Sequence, residues 1–238
     1  MTRPSPIRIK IFADGADLAG IERLALDPMI AGFTTNPTLM RQSGVSDYVS
    51  FASQVLEVIS GKPISFEVFS DDEFEMERQA RLIASWGDNV YVKIPVTDTS
   101  GESTSKLIRR LSESGVKLNV TAILSLQQVE SVVEALASSE GGIVSVFAGR
   151  IADTGRDPVP LMAAALELVK LQPNLELLWA SPREVLNIVQ ADGIGCHIIT
   201  VTHDLLKKLP GLGRGLDKVS LDTVKMFYDD ARQAGFSL

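Results

Sequence analysis

The 238-residue chain has one cysteine, two histidines, few aromatic residues and no long uninterrupted apolar run. Cys196 alone cannot close an internal disulfide, so no disulfide framework holds the fold, and its apolar neighbours suit a small buried side chain. His197 and His203 come without the cysteine or carboxylate spacing of a zinc site, so no metal is expected. With no stretch of about eighteen apolar residues, no membrane-spanning helix is expected. Met1-Thr2-Arg3-Pro4-Ser5-Pro6 is not followed by a secretory segment, which makes a cytoplasmic protein the expectation. Positive charge is also in short supply, with 23 Lys+Arg against 30 Asp+Glu and a net charge of -7. That argues against nucleic acid or an anionic membrane as partner, but leaves room for one or two arginines focused on a phosphate in a cleft. No Gly/Ser/Pro-rich linker divides the chain. Residues 1–238 are therefore expected to form a single domain, with 216–238 as a closing or intersubunit helix.

What the chain does contain is one lysine in an unusual place. Val90-Tyr91-Val92-Lys93-Ile94-Pro95-Val96-Thr97 reads as a short strand buried in a parallel sheet, bounded by a polar turn and by Pro95. Lysine is rarely buried unless paired or needed for chemistry. Burial favours the neutral amine, which can attack a carbonyl and form a Schiff base. The alternative is a side chain that reaches the strand end and pairs with an acid.

Strands near residues 7, 31, 64, 90, 117, 143, 175 and 196 alternate with amphipathic helices, which predicts a closed (β/α)8 barrel with its site at the carboxyl ends of the strands. Asp14, Asn36, Lys93, Thr121, Arg150 and Ser181 all fall at or just beyond those ends. Two of them have a structural alternative at this point: Asp14 a turn, Asn36 a capped corner before Pro37. Glu67, between Phe66 and Val68, is either an acid/base group facing the interior or half of an ion pair. Asp17 is placed to cap the helix that follows it, and Asn119 and Thr121 share one strand face. Pro182 is read as opening a helix with Arg183 in its first turn, where an arginine suits a bound anion better than it suits the helix dipole. Gly211-Leu212-Gly213-Arg214-Gly215 lacks the strand context of a nucleotide loop, and no serine nucleophile elbow is present.

Taken together, Gly32-Phe33-Thr34-Thr35-Asn36-Pro37, Val92-Lys93-Ile94-Pro95-Val96-Thr97, Asn119-Val120-Thr121-Ala122, Val146-Phe147-Ala148-Gly149-Arg150 and Ala180-Ser181-Pro182-Arg183 resemble the transaldolase family. The likeness is to its short subgroup, which also contains fructose-6-phosphate aldolase-like enzymes, and it runs from the first strand to the last helix. The resemblance implies that Lys93 is the Schiff-base nucleophile and Asp14 the acid/base residue at the sugar hydroxyl. Glu67 with Thr121 would position a proton-shuttling water. Thr34 and Asn36 would orient substrate, with Ser145, Phe147 and Ser181 lining its site, and Arg150 and Arg183 would hold phosphate. The implied substrates are small sugar phosphates, with no cofactor. Aldolase members carry glutamine and tyrosine where Glu67 and Phe147 stand, so the resemblance favours transfer to an aldehyde acceptor. Ala13, Gly15 and Pro182 depart from the usual pattern, Pro182 replacing an aromatic residue. Short family members often assemble through the last helix, in pentameric rings that pair as decamers, and Val219, Val224 and Phe227 would serve such a homo-oligomer.

Overall fold

A computed structural model describes residues 7–59 and 61–237; the N-terminal segment from which the absence of a leader is read lies outside them. Eight strands, β1 (Lys10–Asp14), β2 (Ile30–Thr34), β3 (Ile64–Glu67), β4 (Val90–Pro95), β5 (Leu118–Ile123), β6 (Gly142–Val146), β7 (Leu175–Trp179) and β8 (Ile198–Thr202), pair in parallel in chain order, and β8 closes on β1. The helices are α1 (Leu18–Ala25), α2 (Pro37–Gln42), α3 (Tyr48–Val58), α4 (Glu73–Ala84), α5 (Ser105–Glu113), α6 (Leu126–Ala135), α7 (Ala148–Ala152), α8 (Val159–Val169), α9 (Leu186–Gly193), α10 (His203–Leu206) and α11 (Leu216–Gln233). The expected (β/α)8 barrel is present, with an added C-terminal helix.

Local chemistry fixes where the helices begin. Asp17, Asn36, Asp47, Asp72 and Ser125 each accept a bond from the third amide of the helix they precede, satisfying a donor that the helix itself leaves free. Ser125 and Gln128 form a reciprocal capping box. The outward residues of the strands, such as Val92, Ile94, Val120 and Val144, are wholly buried against these helices.

The barrel interior is layered. At the amino end Lys10 pairs with Glu176 at 2.8 Å. Above them Phe12, Ile143, Leu178, Ala180 and Ile198 form a separate apolar cluster. Polar residues occupy the carboxyl end.

Three expectations need correcting. β1 begins at Lys10 rather than Ile7, because the amides of Arg8 and Ile9 both donate to Asp192 at 2.8 Å and enter the barrel through that carboxylate. Arg150, expected in a loop, lies on the short helix α7. No helix opens at Pro182: Ser181 has a left-handed φ of 57° that redirects the chain, and the Arg183 amide donates to Asn187 Oδ1 at 2.7 Å, so α9 starts only at Leu186. Among the described residues no helix is long and apolar enough to cross a membrane.

Gly32 shows how tightly the interior is filled, since a Cβ there would meet the Phe12 ring at 2.6 Å. Gly32→Ala is expected to cost about 1–3 kcal/mol by overpacking, read as a lower midpoint in urea unfolding followed by far-UV circular dichroism.

Candidate active site

Lys93 sits near the carboxyl end of β4, 7% exposed, on the interior parity of its strand. Its ammonium donates to Glu67 Oε2 and to the Thr35 carbonyl, each at 2.9 Å. Glu67 is its register partner on β3, so the ladder itself brings amine and carboxylate together. Lys93 is thus buried and also paired with an acid. Glu67 lies on the interior face of β3 and lines the cleft, while Phe66 and Val68 pack against the helices.

Asp14 ends β1, between Thr34 and Thr202 in the ladder. Thr34 donates its hydroxyl proton to Asp14 Oδ1 at 2.7 Å, and the Thr200 hydroxyl lies against Thr34 Oγ1 at 2.5 Å. Since Thr34 has one proton and gives it to the carboxylate, Thr200 donates to Thr34. Part of Asp14 opens on the cleft, but protein surrounds it. Burial pushes its carboxyl above the usual range and the nearby Glu67 adds to this, while Lys93, Thr34 and Asn36 pull the other way. Asn36 has its own structural duty, accepting the Leu39 amide at 2.9 Å as cap of α2.

Beneath these groups runs a buried polar chain in which Ser145 donates to Asn119 Oδ1 at 2.6 Å and Asn119 Nδ2 donates to Ser65 Oγ at 3.0 Å. Ser145, expected to touch substrate, thus also braces the floor. The β5–β6 register shifts between Val120 and Ile123, with Ala122 at a φ of 62°. This bulge lets Thr121 and Ala122 both border the cleft. Thr121 Oγ1 is buried and has no hydrogen-bond partner among the described residues.

The mouth is formed by Phe147, Arg150, Ser181 and Arg183. The Arg150 guanidinium lies 5.9 Å from the Phe147 ring centre. Arg183 Nε donates to Asp153 Oδ1 at 3.0 Å, and its Nη2 pairs with the other oxygen of the same carboxylate, so this fork already holds an anion. The Arg183 fork keeps the Asp153 carboxyl below its usual value. A Cβ on Gly149 would lie 1.5 Å from the Ser181 carbonyl oxygen, so only glycine lets these two segments meet.

All eleven expected site residues border one cleft of about 420 Å³. Ser65, Asp153 and Thr200 carry no sequence signal strong enough to single them out for this site. The alternation in Ile199-Thr200-Val201-Thr202 was the available signal for Thr200, whereas Thr35 acts through its backbone, which side-chain chemistry cannot announce. His197 Nδ1 accepts the Leu177 amide at 2.9 Å and His203 packs over Gly15, so the two histidines serve separate structural contacts. No group of three His, Cys, Asp or Glu side chains among the described residues is arranged to hold a metal ion.

The profile of the family described as Transaldolase/Fructose-6-phosphate aldolase matches residues 11–238. Over 202 residues the chain is 35% identical to a protein named "Probable transaldolase" from Dehalococcoides mccartyi, covering 84% of this chain and 90% of that one. A protein of the same name from Thermoanaerobacter sp. is 30% identical over 236 residues, 97% and 100% of the two chains. Among solved structures, dihydrodipicolinate synthase from Rhodopseudomonas palustris aligns with a TM-score of 0.53 at 13% identity, over 84% of this chain and 72% of that one, a likeness of fold alone.

The raised Asp14 carboxyl makes a signed prediction. A group that binds its proton more tightly when folded supplies stability at low pH that is lost as pH rises through its folded pKa. Asp14→Asn removes that loss while keeping an oxygen for Thr34. The variant is expected to unfold at higher urea than wild type near about pH 7, with the gain shrinking toward about pH 4 as the wild-type carboxyl takes up its proton. Paired urea titrations at the two pH values check this; an equal gain at both would show that titration is not its source.

Proposed function

The chain belongs to the transaldolase/fructose-6-phosphate aldolase family, and from that premise we propose that it transfers a dihydroxyacetone unit between sugar phosphates through a Schiff base on Lys93. The observation that carries this reading is the buried Lys93 ammonium lining a polar cleft, bonded to one carboxylate. A proton passed from Lys93 to Glu67 frees the amine, which attacks the keto carbon of fructose 6-phosphate or sedoheptulose 7-phosphate. The acid so formed on Glu67 returns its proton to the departing hydroxyl of the carbinolamine, through a water held by Thr121, and water leaves. The protonated Schiff base then acts as electron sink. Asp14 takes the proton of the C4 hydroxyl as the C3–C4 bond breaks, so that C4 becomes the aldehyde of the departing aldose phosphate and a three-carbon enamine stays on Lys93.

Attack of the enamine on an acceptor aldehyde, erythrose 4-phosphate or glyceraldehyde 3-phosphate, reverses the sequence. Phe147 borders the cleft and has no proton to give the enamine, which favours waiting for an aldehyde over releasing dihydroxyacetone. Arg150 and Arg183 suit the phosphate, which would exchange with the Asp153 carboxylate on the Arg183 fork. Ser181 and Asn36 are placed to bond substrate hydroxyls. Because phosphorylated sugars do not cross lipid bilayers unaided, the reading puts the protein in the cytoplasm.

We also read the protein as a homo-oligomer. None of the described side chains of α11 is buried, and Leu216, Val219, Val224 and Phe227 form an apolar stripe along it. On the outer face of β1, between α1 and α10, lies an apolar groove of about 880 Å³ lined by Ile9, Ile11, Leu24, Met29 and Leu206. The apolar stripe of α11 from a second copy matches it in kind. A contact that joins one copy's helix to another copy's groove closes into a ring when the rotation allows.

Borohydride added with fructose 6-phosphate is expected to leave a three-carbon adduct on Lys93, located by peptide mass spectrometry and absent in Lys93→Ala. Binding without an adduct would instead mark a noncatalytic sugar-phosphate barrel. Erythrose 4-phosphate should then be required for rapid turnover. In light scattering the wild type should exceed the 25.7 kDa of one chain, and Phe227→Asp should return it to that mass.

A further inference from the structure

The parallel ladder between β2 and β3 stops one bond early. The Phe33 amide donates to the Pro63 carbonyl and the Thr35 amide to the Ser65 carbonyl, at 2.8 and 3.1 Å. Continued by the same rule, the next bond would run from the Glu67 amide to the Thr35 carbonyl. That carbonyl instead accepts the Lys93 ammonium. The Glu67 backbone is satisfied from elsewhere: its amide donates to the Tyr48 hydroxyl at 2.9 Å, and the same hydroxyl donates to the Glu67 carbonyl at 2.9 Å. One phenol from α3 thus stands in for a residue of the missing strand.

We propose that Tyr48 is a positioning residue for the Lys93–Glu67 pair, its hydroxyl replacing the ladder bond so that the Thr35 carbonyl is released to hold the lysine. The consequence for catalysis rests on the Schiff-base reading given above. Three features make the replacement specific. The ring is held edge-on by Phe66 and Phe69, at centroid distances of 6.2 and 5.4 Å, and tilted against Trp86 at 5.8 Å, which leaves the hydroxyl little freedom. Burial raises the phenol pKa, so the proton needed for the Glu67 carbonyl stays in place. Without the hydroxyl, a part-buried Glu67 amide loses its acceptor, and the nearest ladder alternative is the carbonyl already committed to Lys93. Tyr48 therefore acts on both members of the pair at once, through the backbone of one and the carbonyl acceptor of the other.

Tyr48→Phe removes the hydroxyl and keeps the ring cluster. Val55→Ala, a fully buried and apolar α3 site, is the control for loosening the helix alone. Two measurements apply to wild type and both variants. Hydrogen exchange by mass spectrometry on a peptide spanning Glu67 should show its amide exchanging at least about tenfold faster in Tyr48→Phe. Borohydride trapping of dihydroxyacetone on Lys93 should slow by about tenfold or more, as misplacement of reacting groups does. Its half-saturating concentration should stay within about twofold, because the hydroxyl contacts no substrate. Val55→Ala should leave the trapping rate near wild type. An unchanged Glu67 amide in Tyr48→Phe overturns the proposal, and so does equal slowing by both variants. If wild-type Lys93 is not trapped at all, the Schiff-base reading fails, while the exchange of the Glu67 amide still tests whether the phenol completes the ladder.

Discussion

The carboxyl end of the barrel is arranged around the ion pair between Lys93 and Glu67. An ammonium and a carboxylate that are both largely withdrawn from water each carry a desolvation cost of several kcal/mol, and only close approach plus additional hydrogen bonds can offset it. The barrel meets that requirement by ladder register, which makes the two residues neighbours on β4 and β3, and by turning the Thr35 carbonyl toward the lysine. The Tyr48 phenol on the backbone of Glu67 is a further part of the same accommodation.

Stability and chemistry are separated along the barrel axis. The closed ion pair of Lys10 and Glu176 and the Phe12 cluster fill the amino end, where nothing needs to enter. The carboxyl end carries hydroxyls, an amide and three buried or half-buried charged groups around an open cleft. The Ser145–Asn119–Ser65 chain lies beneath the site and satisfies its buried polar atoms among themselves, so the floor is rigid although it is polar. Two left-handed residues, Ala122 and Ser181, border the same cleft. Backbone conformations of that kind are costly for residues with a Cβ and persist where the surroundings over-determine them. Here one turns Thr121 and Ala122 toward the mouth together, and the other bends the chain so that Ser181 and Arg183 meet Gly149 and Arg150.

The eight-strand alternation, the inward lysine and the set of polar residues at strand ends were legible from the sequence, because strand parity and turn chemistry are local properties. So was the cap at Asp17. Bounds were less legible: β1 starts late because Asp192, remote in sequence, captures the entering amides. Pro182 looked like a helix start because proline suits a first turn; the conformation of Ser181 and the Asn187 side chain overrode that local preference.

By itself, then, the sequence determined which residues could do chemistry: a lysine among apolar neighbours, a carboxylate on each of two strands, and two arginines beyond strand ends. Only the tertiary structure decided how they are paired. Glu67 rather than Asp14 is bonded to the lysine, Arg183 already holds Asp153, and Tyr48, a residue of an ordinary amphipathic helix, reaches the backbone of a catalytic candidate. The physical reason is that side-chain type and spacing are written along the chain, whereas hydrogen-bond partners, and above all backbone partners, exist only once strands are in register and helices are packed on them.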